Sequence, residues 1–319
     1  MIQEMDLMEI FYWFHRHPEL SYEEYDTTAQ IKKLLKAADV KILPIPMETG
    51  LIAEVKGEKD GPVQALRCDI DALPITELTD LPYASECPGK MHACGHDFHI
   101  TAGIGTAIWL QEHKGELCGT VRFFFQPGEE SSLGAWKVLE TTALDSVTRV
   151  WGFHSDPTNL VNAIGIREGA VAAAVDRFVI TITGVGCHGA HPDDGVDPIP
   201  AAAAMVQAFQ TIVTRNINPF HPALISVTRL EAGNTWNVIP QTAQLEGTVR
   251  TMDRQDRCLF EKRLKAIAEQ TASAYGASAE VEWIPGPPAV CNDAEMAAFA
   301  KETAEGLSDC SGRTVARRR

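Results

Sequence analysis

No two cysteines in this sequence are spaced as CxxC, although eight are scattered over its 319 residues, at positions 68, 87, 94, 118, 187, 258, 291 and 310. That scatter excludes a paired-thiol redox motif. The N-terminal "MIQEMDLMEIFYWF" has no basic stretch ahead of an apolar one, so no signal peptide is read. The expectation is a cytoplasmic protein with reduced thiols, most of them small core residues. No apolar run approaches the length of a membrane span. Basic charge is scarce as well: Lys and Arg number 28 against 43 Asp and Glu, a formal charge of −15. A field of that sign repels polyanions, which argues against nucleic acid and acidic membranes as partners. The only basic cluster is the closing "RTVARRR", read as a solvated tail. HExxH and GxSxG are absent, removing the common helix-borne zinc protease and the serine hydrolase. Internal repeats and low-complexity segments are absent too.

What is present reads as an α/β protein. Residues 4–15 and 22–38 have helical periodicity, and "HPELS" between them is a turn in which Ser21 can cap the second helix. "GLIAEVKG" and "VQALRCDIDALPI" read as strands joined by a hairpin-like turn at "EKDG". A helix runs from Asp97 to about His113. "TVRFFFQ" and "VTRVWGFH" read as strands buried on both faces, with the helix "SLGAWKVLE" between them. The alternation predicts a parallel-rich mixed sheet with helices on both faces. From Asp176 the order becomes β-α-β-β-α-β, the split pattern of a small ferredoxin-like sandwich. The expected organisation is a catalytic domain over residues 1–174, an inserted ferredoxin-like α+β domain over 175–285, and a return to the first domain over 286–319.

Within this frame "MHACGHDFHI", Met91 to Ile100, holds three histidines, a cysteine and an aspartate. Cys94 and His96 stand at i and i+2 just before the helix, where an extended segment would point both side chains the same way. Glu129 and Glu130 follow one strand and His154 ends another. In open parallel sheets the carboxyl ends of strands are where sites are built. Cys94, His96, Glu130 and His154 together make a donor set for one or two first-row divalent metals, zinc or manganese, with cobalt or nickel also suited. A hydrolytic site needs a carboxylate ligand and a separate general base, which takes a proton from water that a metal acidifies to a pKa of about 7. Glu129 is taken as base and Glu130 as ligand, an order that spacing alone does not fix. Asp97 can serve simply as a helix cap. His15 and His17 are read as structural, and His92 and His99 have no assigned role. "GVGCHG", Gly184 to Gly189, matches a dinucleotide fingerprint, but no helix opens after it and the reading is rejected.

The segments "FHRHPELSYEE", "LRCDIDALPI", "MHACGHDFHITAG", "FFFQPGEE", "GFHSDP", "GCHGAHPDDGVDPI" and "GNTWNVIPQTAQLEGTVRT" resemble the cocatalytic metallopeptidase/amidohydrolase family. That family includes aminoacylases, carboxypeptidase G, hippurate hydrolases and plant auxin-conjugate hydrolases. The last two make up the branch most resembled. The motifs occur in family order and extend to about Leu307. The resemblance implies a phosphorylase/hydrolase-like catalytic domain with an inserted lid and dimerisation domain, and hydrolysis of the amide bond of an N-acyl amino acid. It implies that Cys94 bridges two metals, that His96, Glu130 and His154 are ligands, and that Glu129 is the general base. Asp71 matches an aspartate supporting the site, and Asp69 stands where other branches carry a histidine ligand. His188 matches a lid histidine that stabilises the oxyanion in the partner subunit's site, which implies a homodimer joined through the lids. Asn237 and Arg250 match substrate-binding positions.

The resemblance also implies a further segment carrying a last histidine ligand. The closing "SDCSGRTVARRR" resembles nothing in the family and holds no histidine. The expectation is a truncated or frame-shifted chain. Two rival readings follow: a remnant that binds metal or ligand and dimerises without turnover, and a protein in which zinc is purely structural.

Overall fold

The computed structural model describes residues 6–161 and 163–307. The closing twelve residues, with Cys310 and the basic tail, lie outside the described residues, as does the start of the N-terminal stretch. The chain divides into two compact units, Met1–Pro157 and Thr158–Arg319.

In the first unit the helices are α1 (Leu7–Arg16), α2 (Tyr25–Ala37), α3 (His96–Glu112) and α4 (Gly134–Leu139). The strands are β1 (Lys41–Ile42), β2 (Leu51–Lys56), β3 (Lys59–Asp69), β4 (Cys118–Gln126) and β5 (Val147–Gly152), ordered β1-β2-β4-β3-β5. β3 pairs in parallel with both β4 and β5, whereas β2 pairs antiparallel with β4 and β1. The expected hairpin between β2 and β3 is therefore wrong: β4 lies between them.

The reason lies in "FFF" of β4. Phe123 and Phe125 point into one cluster with Ile10, Phe14, Ile104 and Ile108, while Phe124 points into another with Ile52, Ala65 and Val138. A strand with large apolar side chains on both faces belongs inside the sheet. Each buried phenylalanine contributes about 1.5–3 kcal/mol. β5 corrects a second expectation. It is an edge strand with mostly exposed side chains, Val150 at 55%. The thiols correct a third: of the described cysteines only Cys68 is buried.

In the second unit β7 (Ala174–Thr183), β9 (Ala223–Ala232), β11 (Thr242–Thr251) and β12 (Ser278–Pro285) form an antiparallel sheet ordered β12-β7-β11-β9, with α5 (Pro198–Arg215) and α6 (Arg254–Ala274). This is the expected β-α-β-β-α-β sandwich. Phe178, Ile180 and Ile182 alternate into a core with Phe209, Leu245 and Phe260. Two short pairs complete the unit. β8 (Cys187–His188) pairs with β10 (Val238–Ile239), and β6 (Gly169–Ala172) with β13 (Val290–Asn292) ahead of α7 (Ala294–Glu305). Among the described residues no helix is long and apolar enough to cross a membrane.

Candidate metal centre

β3, β4 and β5 run parallel, so their carboxyl ends share one edge. Asp69 and Asp71 follow from β3, Glu129 and Glu130 from β4, and His154 from β5. Cys94 and His96 arrive on the turn entering α3. That turn is not extended: Gly95 has φ +81°, in the left-handed region, and His96 is already helical. Convergence of Cys94 and His96 thus comes from a left-handed glycine and not from strand alternation. A Cβ on Gly95 would fall 2.4 Å from Ser155 Oγ, so the close approach also requires glycine.

Ligand atoms of Cys94, His96 and His154 lie within 4.8 Å of one another, and so do those of His96, Glu129 and Glu130. Cys94 Sγ is 3.5 Å from His154 Nε2. His96 Nε2 is 3.9 Å from both Glu129 Oε2 and Glu130 Oε1. All five side chains therefore meet.

Hydrogen bonds decide which nitrogens are free. His96 Nδ1 lies 2.8 Å from the Asp71 main-chain oxygen, which can only accept, so Nδ1 carries the proton and Nε2 the lone pair. His154 Nδ1 donates to the Ser155 carbonyl at 2.8 Å, leaving its Nε2 toward Cys94 in the same way. His99 differs. Its Nε2 accepts the Ser155 N–H at 2.9 Å and its Nδ1 donates to Asp69 Oδ1 at 2.5 Å. Both nitrogens are used, which gives the unassigned His99 a tethering role between α3 and the loop bearing His154. The other Asp69 oxygen lies 2.9 Å from the Arg67 guanidinium.

Asp71 supports two site residues at once. It faces His96 Nδ1, and its Oδ2 accepts from the Glu130 N–H at 3.0 Å and from the Ser21 hydroxyl at 2.7 Å. Ser21 is thus not the cap of α2; Glu24 occupies that position. Asp97 is not the helix cap, a position Gly95 holds; one of its oxygens accepts the Phe98 N–H and the other takes His15 Nδ1 at 2.6 Å, which gives His15 a structural role. His92 is buried with neither ring nitrogen partnered.

The electrostatics suit a cation. Burial pushes Glu129 above the ordinary carboxylate range, against the opposing pull of Arg67. The hydrogen bond with His154, then the nearby His96 imidazole, lowers the Cys94 thiol. Cys94 in turn raises His154 to about 9. Burial disfavours charge on His96, but Asp71, Cys94 and Asp69 outweigh it and push it up to about 11. Each raised imidazole is one whose lone pair faces negative charge. Two acceptors, His96 Nε2 and Glu130 Oε1, are buried without a hydrogen-bond partner. Orphaned acceptors are rare in folded proteins and need an explanation. A divalent cation bound by sulfur, nitrogen and oxygen donors satisfies both, so the residues present suit the metals expected here.

The remaining expected residues lie in the second unit. His188 is exposed on β8, with its Nδ1 accepting from the Ala190 N–H at 3.1 Å. Asn237 is beside it, its carbonyl accepting the Gly189 N–H at 2.8 Å. Arg250 is eight positions along β11 from Thr242, roughly 27 Å at the rise of a strand, and donates to Thr248 and the Val249 carbonyl. The sandwich thus groups His188 with Asn237 and sets Arg250 toward its opposite end. Sequence reasoning missed Arg67, Gln126, Ser155 and Glu24. Of these Arg67 carried a signal, since it stands two residues before Asp69 on a strand and shares its face.

The fold is found in known proteins. The profile of Peptidase family M20/M25/M40 matches residues 65–317. The N-acetylcysteine deacetylase of Bacillus subtilis is 48% identical over 294 residues, 92% of this chain and 77% of that protein. Thermostable carboxypeptidase 1 of Saccharolobus solfataricus is 34% identical, over 88% of this chain and 74% of its own. The crystal structure of Bacillus subtilis YXEP, described as a dinuclear metal binding peptidase from the M20 family, superimposes with a TM-score of 0.84. It is 45% identical and is matched over 93% of this chain and 78% of its own. Its motifs, its fold and the length of these matches make this chain a hydrolase of Peptidase family M20/M25/M40.

Proposed function

We propose that this protein hydrolyses the amide bond of N-acyl amino acids, releasing a carboxylate and the free amino acid. The observation that carries the reading is the meeting of Cys94, His96, Glu130 and His154 beside a second glutamate, Glu129, with two buried acceptors unpartnered. Cys94, His96, Glu130 and His154 would hold one or two divalent cations, zinc or manganese. Bound there, such cations would polarise the amide carbonyl and acidify the attacking water.

The protein's own groups do the rest. Asp71 keeps His96 in the tautomer that presents Nε2, and fixes the Glu130 backbone. Glu129 takes the proton from the attacking water and returns it to the departing amine. His188 accepts at Nδ1, so its neutral form carries a donor at Nε2, suited to the oxyanion of the tetrahedral intermediate. Asn237 and Arg250 would bind the amino acid, Arg250 through its carboxylate. Because His188 and Arg250 are set far apart within one sandwich, their joint action on one substrate calls for two copies of the chain. We therefore read the sandwich of residues 175–285 as an inserted lid through which a homodimer forms. Unpaired thiols favour the reducing cytoplasm.

Relatives named for N-acetylcysteine favour a small acyl group, in preference to the benzoyl group of hippurate. The test is hydrolysis of N-acetyl-L-cysteine, other N-acetyl amino acids and N-benzoylglycine, before chelation, after it, and after return of zinc or manganese. Turnover lost on chelation and restored by metal supports the reading. Turnover indifferent to chelation contradicts it. Two bound cations without turnover on any substrate would favour the non-catalytic remnant.

A further inference from the structure

A single guanidinium stands among the carboxylates at the head of the first sheet. Arg67 and Asp69 lie two positions apart on β3, so their side chains rise from one face. Arg67 Nε donates to Gln126 Oε1 at 2.8 Å, one terminal nitrogen is 2.9 Å from Asp69 Oδ2, and the other is 3.7 Å from Glu129 Oε1. Two of these partners are fixed. Asp69 is buried and holds His99 with its second oxygen, and Gln126 is buried at the end of β4. The guanidinium is thus locked at two corners and offers the third to Glu129.

The contact gives the two oxygens of Glu129 different surroundings. Oε1 faces Arg67, while Oε2 faces His96 Nε2 at 3.9 Å, where the metal donors converge. Among the described residues no hydrogen bond to the Glu129 carboxylate is found; its ion-pair partners are Arg67 on one oxygen and His96 on the other. Glu130 is held otherwise, by its backbone N–H on Asp71.

We infer that Arg67 is a positioning residue: it aims the Glu129 carboxylate at the reacting water and thereby separates the roles of the adjacent glutamates. The inference rests on the reading of Glu129 as general base. The simpler alternative is that Arg67 only neutralises Asp69, in which case its loss would disturb folding and metal binding and not catalysis in particular. A displacement of about 1 Å in a reacting group costs about 100-fold in rate. Lysine is no substitute, because one ammonium cannot meet three acceptors arranged around a planar fork.

The experiment compares Arg67→Met, Arg67→Lys and Glu129→Gln with the unaltered protein. It measures kcat and KM for N-acetyl-L-cysteine, metal bound per chain, and the crystal structure of each variant. Arg67→Met is expected to lower kcat about 100-fold with KM and metal content nearly unchanged, and added methylguanidinium to restore part of the loss. Arg67→Lys is expected to recover only part. Its crystal structure should show the Glu129 carboxylate swung away from His96 in Arg67→Met. A Glu129 carboxylate that stays in place in Arg67→Met overturns the inference, whatever the activity. So does a kcat within about twofold of normal while Glu129→Gln is inactive. Full turnover by Glu129→Gln would instead defeat the base assignment beneath it.

Discussion

Glu24 accepts the backbone N–H of Gly128 at 2.8 Å, across 104 positions of sequence. Its neighbours reach the same loop, Tyr22 directly and Ser21 through Asp71, which holds the Glu130 N–H. Ser21 donates to Asp71, and the Tyr22 hydroxyl is 2.7 Å from Ser131 Oγ, which donates to the Gly128 carbonyl at 2.7 Å. Tyr22 sits at φ +68°, a conformation that costs on the order of 1–3 kcal/mol in a non-glycine residue. "ELSYEE" is thus a clamp on the loop that carries Glu129 and Glu130. Glu24→Ala leaves a buried N–H unpartnered and is expected to cost about 1–3 kcal/mol in urea denaturation. It should lower kcat more than KM. Glu24→Gln, which keeps an acceptor, should recover most of both.

Gly95 is a second point of dependence. Ser155 Oγ, which a Cβ there would strike, donates to the Cys94 carbonyl at 2.8 Å and so holds the turn in place. Gly95→Ala is expected to weaken metal binding about 10- to 100-fold, the usual cost of disturbing groups that orient ligands. Competition with a chromogenic chelator measures it. Unchanged affinity would show that the turn tolerates a side chain.

His15 predicts a pH dependence of stability. Its Nδ1 is 2.6 Å from Asp97 Oδ2 and its Nε2 3.1 Å from Glu77 Oε1. The Asp97 bond raises the imidazole pKa, burial opposes, and Glu77 adds to the rise. A group whose folded pKa is raised contributes its full stability below the unfolded value of about 6.5 and loses it as pH rises through the folded value. The stability difference between the unaltered protein and His15→Gln should therefore be largest below about pH 6.5 and shrink above it. Denaturant titrations across that range test it. A difference that grows with pH would contradict the assignment.

The sandwich of the second unit was legible in sequence because its strands bury one face. Phe178, Ile180 and Ile182 alternate with more open positions, and that period is visible without a structure. The sheet order of the first unit was not. Adjacent strands joined by a short turn suggest a hairpin, and only the two-faced burial of Phe123, Phe124 and Phe125 explains why β4 intervenes. β5 has the apolar composition of an inner strand, but sheet position depends on what pairs with it, and that is not written in its own residues.

At the site, residue types were more legible than geometry. Cys94 and His96 meet through a left-handed Gly95, a backbone state that an extended reading of the same letters does not contain. His99 could not be separated from the ligands by spacing. Its exclusion needs the Ser155 N–H, which arrives from 56 positions away. Ser21 looked like a cap and serves Asp71 instead, because long-range partners compete with local ones and sequence proximity shows only the latter.

The central claim is that Glu129 moves the proton while Cys94, His96, Glu130 and His154 bind the metals. The most direct measurement is metal stoichiometry and turnover of N-acetyl-L-cysteine by Glu129→Gln, beside the unaltered protein. The account predicts the same metal content with kcat reduced by about 100-fold or more. A Glu129→Gln protein that keeps its turnover, or that loses its metals along with it, would contradict the account.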